Sequence, residues 1–372
     1  MIDLPKFKIG NLGKILEISI IQGGMGVGVS MSKLTSAVAN CGGAGIIASV
    51  GLGPLKGYLE KHNGNYIKAN QEGLREEIRK ARKKSNGVIG VNIMHALSDY
   101  VSLVETAVEE NIDLIISGAG VPRDLPKYLN GKDIKLIPIV SSARYSNLIC
   151  KAWSKIEHPP DAIIVEGPKA GGHLGFKREQ LDNPEYVKNA LETIVKEVVK
   201  ESKKFGNIPI IAAGGIYSGQ DIKKALGWEV AGVRVAGVQM ATRFVPTFEC
   251  DADDKFKQTY LNAQKEDIII IDSPVGMPGR AINNPFLEEI QSGEKNKFKC
   301  GFKCLKTCNP KESPYCIANA LVEAQQGDFT RGYAFAGANA YKCTPETCLD
   351  ENREFISVRT LMERLSNEYN SA

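Results

Sequence analysis

Short apolar runs recur along the first two thirds of the chain, each followed by a Gly- or Ser-rich turn and then by helical spacing. Eight stand out: ISIIQ (18–22), AGIIASV (44–50), VIGVNIM (88–94), IDLIISG (112–118), KLIPIVS (135–141), AIIVEG (162–167), IPIIAAG (208–214) and VRVAGV (233–238). Most are rich in Ile and Val and lack apolar/polar alternation, the pattern of strands buried on both faces. Helical patterns lie between them. Residues 31–40 form one, stopped by Gly42-Gly43, and residues 72–84 another. Residues 184–203 form a third, with Asn183 as N-cap and Pro184 at the first helical position, where a missing N–H costs nothing. Residues 218–226 open with Ser218 and carry Asp221 three positions on, a capping-box start. Strand–helix alternation of this kind predicts an α/β chain folded as a (β/α)8 TIM barrel. An open doubly wound sheet uses the same units, but eight strands and the lack of GxGxxG after the first favour the barrel.

The alternation stops near residue 247. We therefore expect two regions: residues 1–250 as the barrel, and residues 251–372 as a Cys-rich helical and irregular C-terminal extension packed on it. Hydrophobic residues make up 43% of the 372, enough for a sizeable core. Basic and acidic residues number 47 and 43, a balance that offers no argument for a nucleic-acid partner. The basic stretch 75–84 is interleaved with Ile78 and Ala81 and reads as the solvated face of a helix. The opening residues carry no apolar signal-like core, and no run of 18 apolar residues occurs, so the expectation is a cytoplasmic chain with no membrane span. Its nine cysteines are then read as reduced.

In a barrel, the loops after strands seven and eight commonly grip a phosphate through backbone N–H groups. Here they read AAGGIYSG (212–219) and GVRVAGVQMATRF (232–244). Gly214 and Gly215 remove side chains where a phosphate must approach, and Gly237 and Gln239 do the same on the neighbouring strand end. After strand one comes QGGMGVG (22–28), whose glycines let the main chain lie flat against a planar ligand. Tight turns explain any one glycine cluster alone; several at the same barrel end point to a ligand. His173, in VEGPKAGGHLGF (165–176), lies among four glycines at the end of strand six and is the candidate acid/base, since imidazole titrates near neutrality. His62 and His158 lie in polar connections, and His95 follows strand three as a secondary candidate. Asn92 sits inside an apolar strand, where its amide needs partners, either on a ligand or on a neighbouring strand. Ser141, Ser142 and Arg144 follow strand five and are candidates to face the pocket.

Together these segments resemble the nitronate monooxygenase (2-nitropropane dioxygenase-like) family, which also includes the flavin-dependent enoyl-acyl-carrier-protein reductase II. The motifs are IQGGMG (21–26), GVN (90–92), SGAGVP (117–122), VEGPKAGGHLG (165–175), AAGGIYSG (212–219) and MATRF (240–244). They span residues from about 15 to 250 and leave the cysteine-rich part outside. The resemblance implies non-covalent FMN, with its phosphate held by Gly214, Gly215, Gly237 and Gln239. Gly24, Met25, Gly26 and Asn92 contact the ring system, and Glu166, Gly172 and Thr242 complete the cofactor set. His173 is implied to be the catalytic or substrate-facing residue. The chain departs from the family at QGGMG, where QGPMG is usual, and at Ala241, where Gly is usual.

The implied activity is FMN-dependent oxidation of alkyl nitronates. The alternative within the family is reduction of an enoyl thioester, which requires NAD(P)H. Both take a small-molecule substrate. A barrel that binds a phosphorylated ligand as a scaffold is the non-enzyme alternative. A flavin-free phosphosugar isomerase is a third, weakened by the absence of a paired acid/base carboxylate in the strand-end motifs. A homodimer is a candidate assembly that the sequence leaves open. Cys300, Cys304, Cys308 and Cys316 are spaced C-x3-C-x3-C-x7-C. If residues 298–308 are helical, the first three thiols share a face that can bind zinc or an iron–sulfur cluster; the other reading is reduced cysteines packing the extension on the barrel. The spacing is not a standard run for either metal, and the metal question stays open.

Overall fold

In the computed structural model of the chain, which describes residues 2–9, 16–293 and 298–372, the apolar runs become strands at close to the expected positions. They are β1 (Ile20–Gln22), β2 (Ala44–Ala48), β3 (Val88–Met94), β4 (Leu114–Gly118), β5 (Lys135–Val140) and β6 (Ile163–Glu166). A two-residue strand, β7 (Gly172–His173), follows, then β8 (Ile210–Ala213), β9 (Glu229–Val230) and β10 (Val233–Met240). Strands β1 to β6, β8 and β10 pair in parallel in that order, and β10 returns to β1 to close the ring. The fold is a (β/α)8 TIM barrel.

The lack of alternation in the strands has its explanation in two buried layers. Ile21, Ile46, Ile116, Ile137, Ile164 and Ile211 point inward and pack on Phe7 and Ile9, which plug the bottom of the barrel. The alternate residues, including Ile20, Ile47, Ile115, Leu136, Val165 and Ala212, point outward beneath the helices. Both faces are therefore apolar.

The sequence signals for helix starts hold. Asn183 Oδ1 accepts from the backbone N–H groups of Glu185 and Tyr186, both at 3.1 Å, and opens the helix Pro184–Ser202. Ser218 and Asp221 form a reciprocal capping box on Gly219–Leu226. The helix expected over 72–84 begins earlier, at Tyr66, capped by Asn65. After β4 the usual helix is reduced to a 3₁₀ turn, Leu125–Tyr128, in a stretch carrying Pro122 and Pro126.

Directly after β10 come a 3₁₀ turn, Thr242–Phe244, and the short helix Asp254–Asn262. The helix Val358–Asn370, from the far end of the chain, packs against both Gly219–Leu226 and Ser32–Asn40, and its Leu361, Met362 and Leu365 belong to the main core. Glu368 accepts from the N–H of Gly219 at 2.7 Å. Between β10 and this helix lies a hairpin, β11 (Ile268–Asp272) and β12 (Pro278–Ile282). β12 pairs antiparallel with β7, so a strand of the extension is built onto the loop after β6. Among the described residues, no helix is long and apolar enough to cross a membrane.

Candidate active site

The strand register gathers the candidate residues. Asn92 pairs with Ala48 on one side and Ile116 on the other; Glu166 and Gln239 both pair with Ala213. All lie at the C-terminal ends of their strands, around a cavity of about 270 Å³. Gly24, Met25, Gly26, Asn92, Glu166, Gly172, His173, Gly214, Gly215, Gln239 and Thr242 all line it. Gly237 does not: it lies mid-strand, where an added Cβ would meet Ser19 O at 3.1 Å and Phe7 at 3.2 Å, and Ala241 and Thr242 take its place at the cavity. Ser141, Ser142 and Arg144 are also outside the lining; Ser141 donates to Gly175 O, and Ser142 caps the next helix. His95 is turned to Tyr100 and Gly120, and His62 pairs with Glu72 on the surface.

One end of the cavity is built of backbone. Gly214 and Gly215 adopt φ of +93° and +90°, a left-handed conformation that glycine takes without strain. A Cβ at Gly214 would lie 2.7 Å from Gly167 O. Two contacts from the extension fix this end: Asn339 Nδ2 donates to Gly215 O at 2.7 Å, and Gly337 N donates to Thr242 Oγ1 at 3.0 Å. Lys169 lines the same end, its ammonium held below the usual lysine range by burial and by the nearby positive charges of Lys224, Lys342 and Arg280, against the pull of Asp221. Such surroundings favour a bound anion.

Next to it, the loop after β1 presses against β3. A Cβ on Gly24 would lie 2.4 Å from that of Asn92, so the main chain itself forms this wall. Gly23 N donates to Met240 O at 2.7 Å and Met25 N to Ser30 Oγ at 2.9 Å, which hold the loop in place. Gln239 Oε1 is buried without a hydrogen-bond partner, and the half-buried Asn92 lines the cavity as well. An unpartnered buried amide oxygen beside a glycine-lined, cationic pocket fits the polar ring edge and phosphate of FMN. The residues present are therefore consistent with that cofactor.

His173 is held by the extension. Its ring nitrogen Nε2 lies 2.8 Å from Ser273 Oγ, at the tip of the β11–β12 hairpin, and its ring stands edge-on to Phe335 at 4.9 Å. Ser273 Oγ also accepts from Val275 N at 3.3 Å. Burial pushes the imidazole down to about 4, so it is neutral at physiological pH. Glu166 is pushed up to about 7 by burial, opposed by the charge of Arg280. The Arg280 guanidinium donates to Pro168 O at 2.5 Å and Ala170 O at 2.6 Å, clamping the turn that carries Glu166 to His173. The site thus pairs a neutral base with a carboxyl that titrates near neutrality, an arrangement suited to proton transfer.

Beyond His173 the cavity becomes an apolar chamber walled by Leu97, Val275, Leu305, Ile317, Leu321 and Phe335, five of the six from the extension. Residues 298–308 are not helical, so the condition for the metal-binding reading is not met. Residues 304–306 instead pair with residues 96–98: Leu305 bridges Leu97, Ser98 N donates to Cys304 O at 3.0 Å, and Lys306 N donates to Ala96 O at 3.0 Å. Cys300, Cys304 and Cys308 therefore share no helical face. Among the described residues, no group of three or more His, Cys, Asp or Glu could hold a metal ion. Sequence reasoning missed Ser273, Arg280, Phe335 and Asn339. The first two lie in the Gly- and Pro-rich segment SPVGMPGRAI, the last two in FAGAN, and only their glycines hinted at a close approach.

Comparison with known proteins agrees with this geometry. The chain is 27% identical over 280 residues to a (3aS,4S,5R,7aS)-5-hydroxy-7a-methyl-1-oxo-octahydro-1H-indene-4-carboxyl-CoA dehydrogenase of Mycobacterium tuberculosis, covering 75% of this chain and 67% of that one. The Rhodococcus jostii protein of the same description is matched over 64% of its length. A probable nitronate monooxygenase of Staphylococcus aureus is 26% identical over 316 residues, covering 75% of this chain and 79% of that protein. Among solved structures, FabK from Thermotoga maritima superposes with a TM-score of 0.72 at 27% identity, over 96% of this chain and 94% of that one. A nitroalkane oxidase of Streptomyces ansochromogenes shares the fold, with a TM-score of 0.69 at 20% identity over 96% and 97% of the two chains. The nitronate monooxygenase family model matches residues 11–365, through the extension that the motifs alone had left outside. The chain belongs to the nitronate monooxygenase family of flavin-dependent oxidoreductases.

Proposed function

We propose that this chain binds FMN non-covalently and oxidises alkyl nitronates. The observation that carries the reading is the placement of a neutral, hydrogen-bonded His173 between the glycine-lined, cationic end of the cavity and the apolar chamber. Gly214, Gly215 and Thr242 would hold the phosphate, and the main chain at Gly24–Gly26 with Asn92 and Gln239 the ring system. Bound FMN supplies the electron chemistry; the protein supplies orientation and a dry pocket. In that pocket the His173 imidazole donates a hydrogen bond to the substrate's oxygen, and Ser273 holds the ring in register.

The apolar lining of the chamber favours a second reading, reduction of an enoyl thioester with NAD(P)H, because aliphatic and aromatic walls suit an alkyl chain. Anaerobic mixing separates the two. Rapid bleaching of the flavin by propionate 3-nitronate supports the first; bleaching by NADH with recovery on adding an enoyl thioester supports the second. His173→Ala should keep the flavin absorbance and lose most turnover. Retained turnover removes His173 from the chemistry, and a colourless protein that takes up no FMN removes the flavin reading itself.

A further inference from the structure

Behind the cavity, two cysteines share a buried site that the oxidoreductase reading does not use. Cys343 and Cys348 flank the single-turn helix Pro345–Cys348 and are 0% and 1% exposed. The turn is tightly built: Thr344 N donates to Thr347 Oγ1 at 2.9 Å and Cys348 N donates to Thr344 O at 3.0 Å, which brings residues 343 and 348 to the same side. Their thiols adjoin and influence one another. The pair is not otherwise surrounded by apolar groups alone. Tyr217 OH lies 3.5 Å from Cys343 Sγ, Thr347 Oγ1 lies 3.4 Å from Cys348 Sγ, and the buried Arg243 stacks on the Tyr217 ring at 4.6 Å while donating to its hydroxyl at 2.7 Å.

We propose that Cys343 and Cys348 form a reversible dithiol–disulfide site, oxidised by a small hydroperoxide, with Cys348 as the attacking thiol and Cys343 as the resolving one. The asymmetry has a physical cause. Burial raises the thiols of Cys150, Cys250 and Cys304. Cys348 goes the other way, because the neighbouring Cys343 thiol and Thr347 hydroxyl and the positive charges of Arg243 and Arg364 favour its thiolate; Arg364 donates to Thr347 O at 2.9 Å and to Leu349 O at 3.5 Å, on either side of Cys348. Its partner Cys343 is held protonated by the neighbouring Cys348 sulfur and by burial. A thiolate beside a protonated thiol is the arrangement that attack and resolution require. The Cys348 sulfur attacks one peroxide oxygen and the O–O bond breaks, releasing water and leaving a sulfenic acid. The Cys343 sulfur then attacks Cys348, the S–O bond breaks and a second water leaves with the Cys343 proton. Two thiols are oxidised by two electrons, and one hydrogen peroxide is reduced to two waters. Access favours a small oxidant: Tyr217 borders the cavity and touches Cys343, so one side chain separates the thiols from that space.

The experiment treats the purified full chain, with and without added FMN, with stepwise hydrogen peroxide at neutral pH, then denatures and alkylates it for intact mass and peptide mapping. The expected result is a mass lower by about 2 Da, seven alkylatable thiols in place of the nine in the sequence, and a cross-linked 343–348 peptide that dithiothreitol restores. Cys343→Ser should stop at a dimedone-reactive sulfenic acid on Cys348, about 16 Da heavier. Cys348→Ser should leave Cys343 a thiol at the same dose. If either variant fails to fold, the wild-type peptide map decides alone. The proposal is overturned if both thiols stay alkylatable while other cysteines oxidise, or if the cross-link joins other residues. Because the readout is covalent and is taken without FMN as well, its failure is distinct from failure of the flavin assignment.

Discussion

Gly24→Ala tests the wall of the cavity most directly. The added methyl would lie 2.4 Å from Asn92 Cβ, 3.0 Å from Asn92 Cγ and 3.4 Å from Ile46 Cγ2. Carbon atoms pack best at about 3.5–4.0 Å, so the two groups must separate by about 1 Å. Asn92 cannot yield easily: its strand is paired on both sides, and its carbonyl accepts from Ser49 N at 3.1 Å and Ser49 Oγ at 2.9 Å. The loop after β1 must move instead, into the space proposed for the flavin ring. Overpacking of this kind costs about 1–3 kcal/mol. If the cost falls on binding, FMN affinity drops by about 5- to 150-fold at 1.4 kcal/mol per tenfold. Titration of the apoprotein by quenching of FMN fluorescence measures this, with a thermal melt of the same sample to detect strain that falls on folding. Gly23→Ala is the control, since its nearest contact is Ala241 Cβ at 3.2 Å and a shift of a few tenths of an ångström relieves it. An unchanged Kd together with an unchanged Tm for Gly24→Ala would refute the assignment of this loop as a close-packed ligand wall.

Ser273→Ala removes the partner of His173 Nε2, a loss of about 1–3 kcal/mol for a buried group left unpaired; we expect kcat to fall about tenfold or more with the flavin spectrum intact, and Ser273→Thr to restore most of it, whereas an unchanged kcat would show that the pair plays no part in turnover. Asn339→Ala frees the Gly215 carbonyl and should weaken FMN binding about fivefold, measured by the same titration, with equal affinity counting against a clamp from the extension. The pH dependence of stability separates two buried groups of opposite sign. Glu166 binds its proton more tightly folded than unfolded, so its contribution is fully present below pH 4.5 and is lost as the pH rises through about 7. His173 does the reverse: its contribution is present above pH 6.5 and is lost as the pH falls through about 4. The Tm of Glu166→Gln relative to wild type should therefore climb between pH 5 and 7 in melts of the apoprotein, and a flat difference would mean that Glu166 is not held protonated by burial.

Much of the architecture was legible in the chain because its signals are local. Ile- and Val-rich runs without alternation announce strands covered on both faces. Asn183-Pro184 and Ser218 with Asp221 mark helix starts through bonds made within three residues. The glycines at 24, 26, 214 and 215 could be placed at the barrel mouth because each directly follows a strand. Gly237 misled because sequence spacing does not say whether a glycine ends a strand or sits inside one; β10 continues to Met240, and the space at Gly237 is needed by Phe7 rather than by a ligand.

Contacts between distant segments were decided by the tertiary structure alone. His173 reads as a loop residue, yet it lies in a strand paired to residue 279 and bonded to residue 273, a hundred positions away. The three cysteines that a helix over 298–308 would put on one face lie on an irregular segment, because residues 304–306 find hydrogen-bond partners in 96–98 that no local pattern encodes. The helix that fills the gap in the barrel's outer ring comes from residues 358–370, and the apolar chamber from residues whose only local signature is an apolar side chain. Periodicity and capping report what a residue does to its neighbours in sequence; a pocket assembled across the whole length of the chain depends on which surfaces find each other when the core closes.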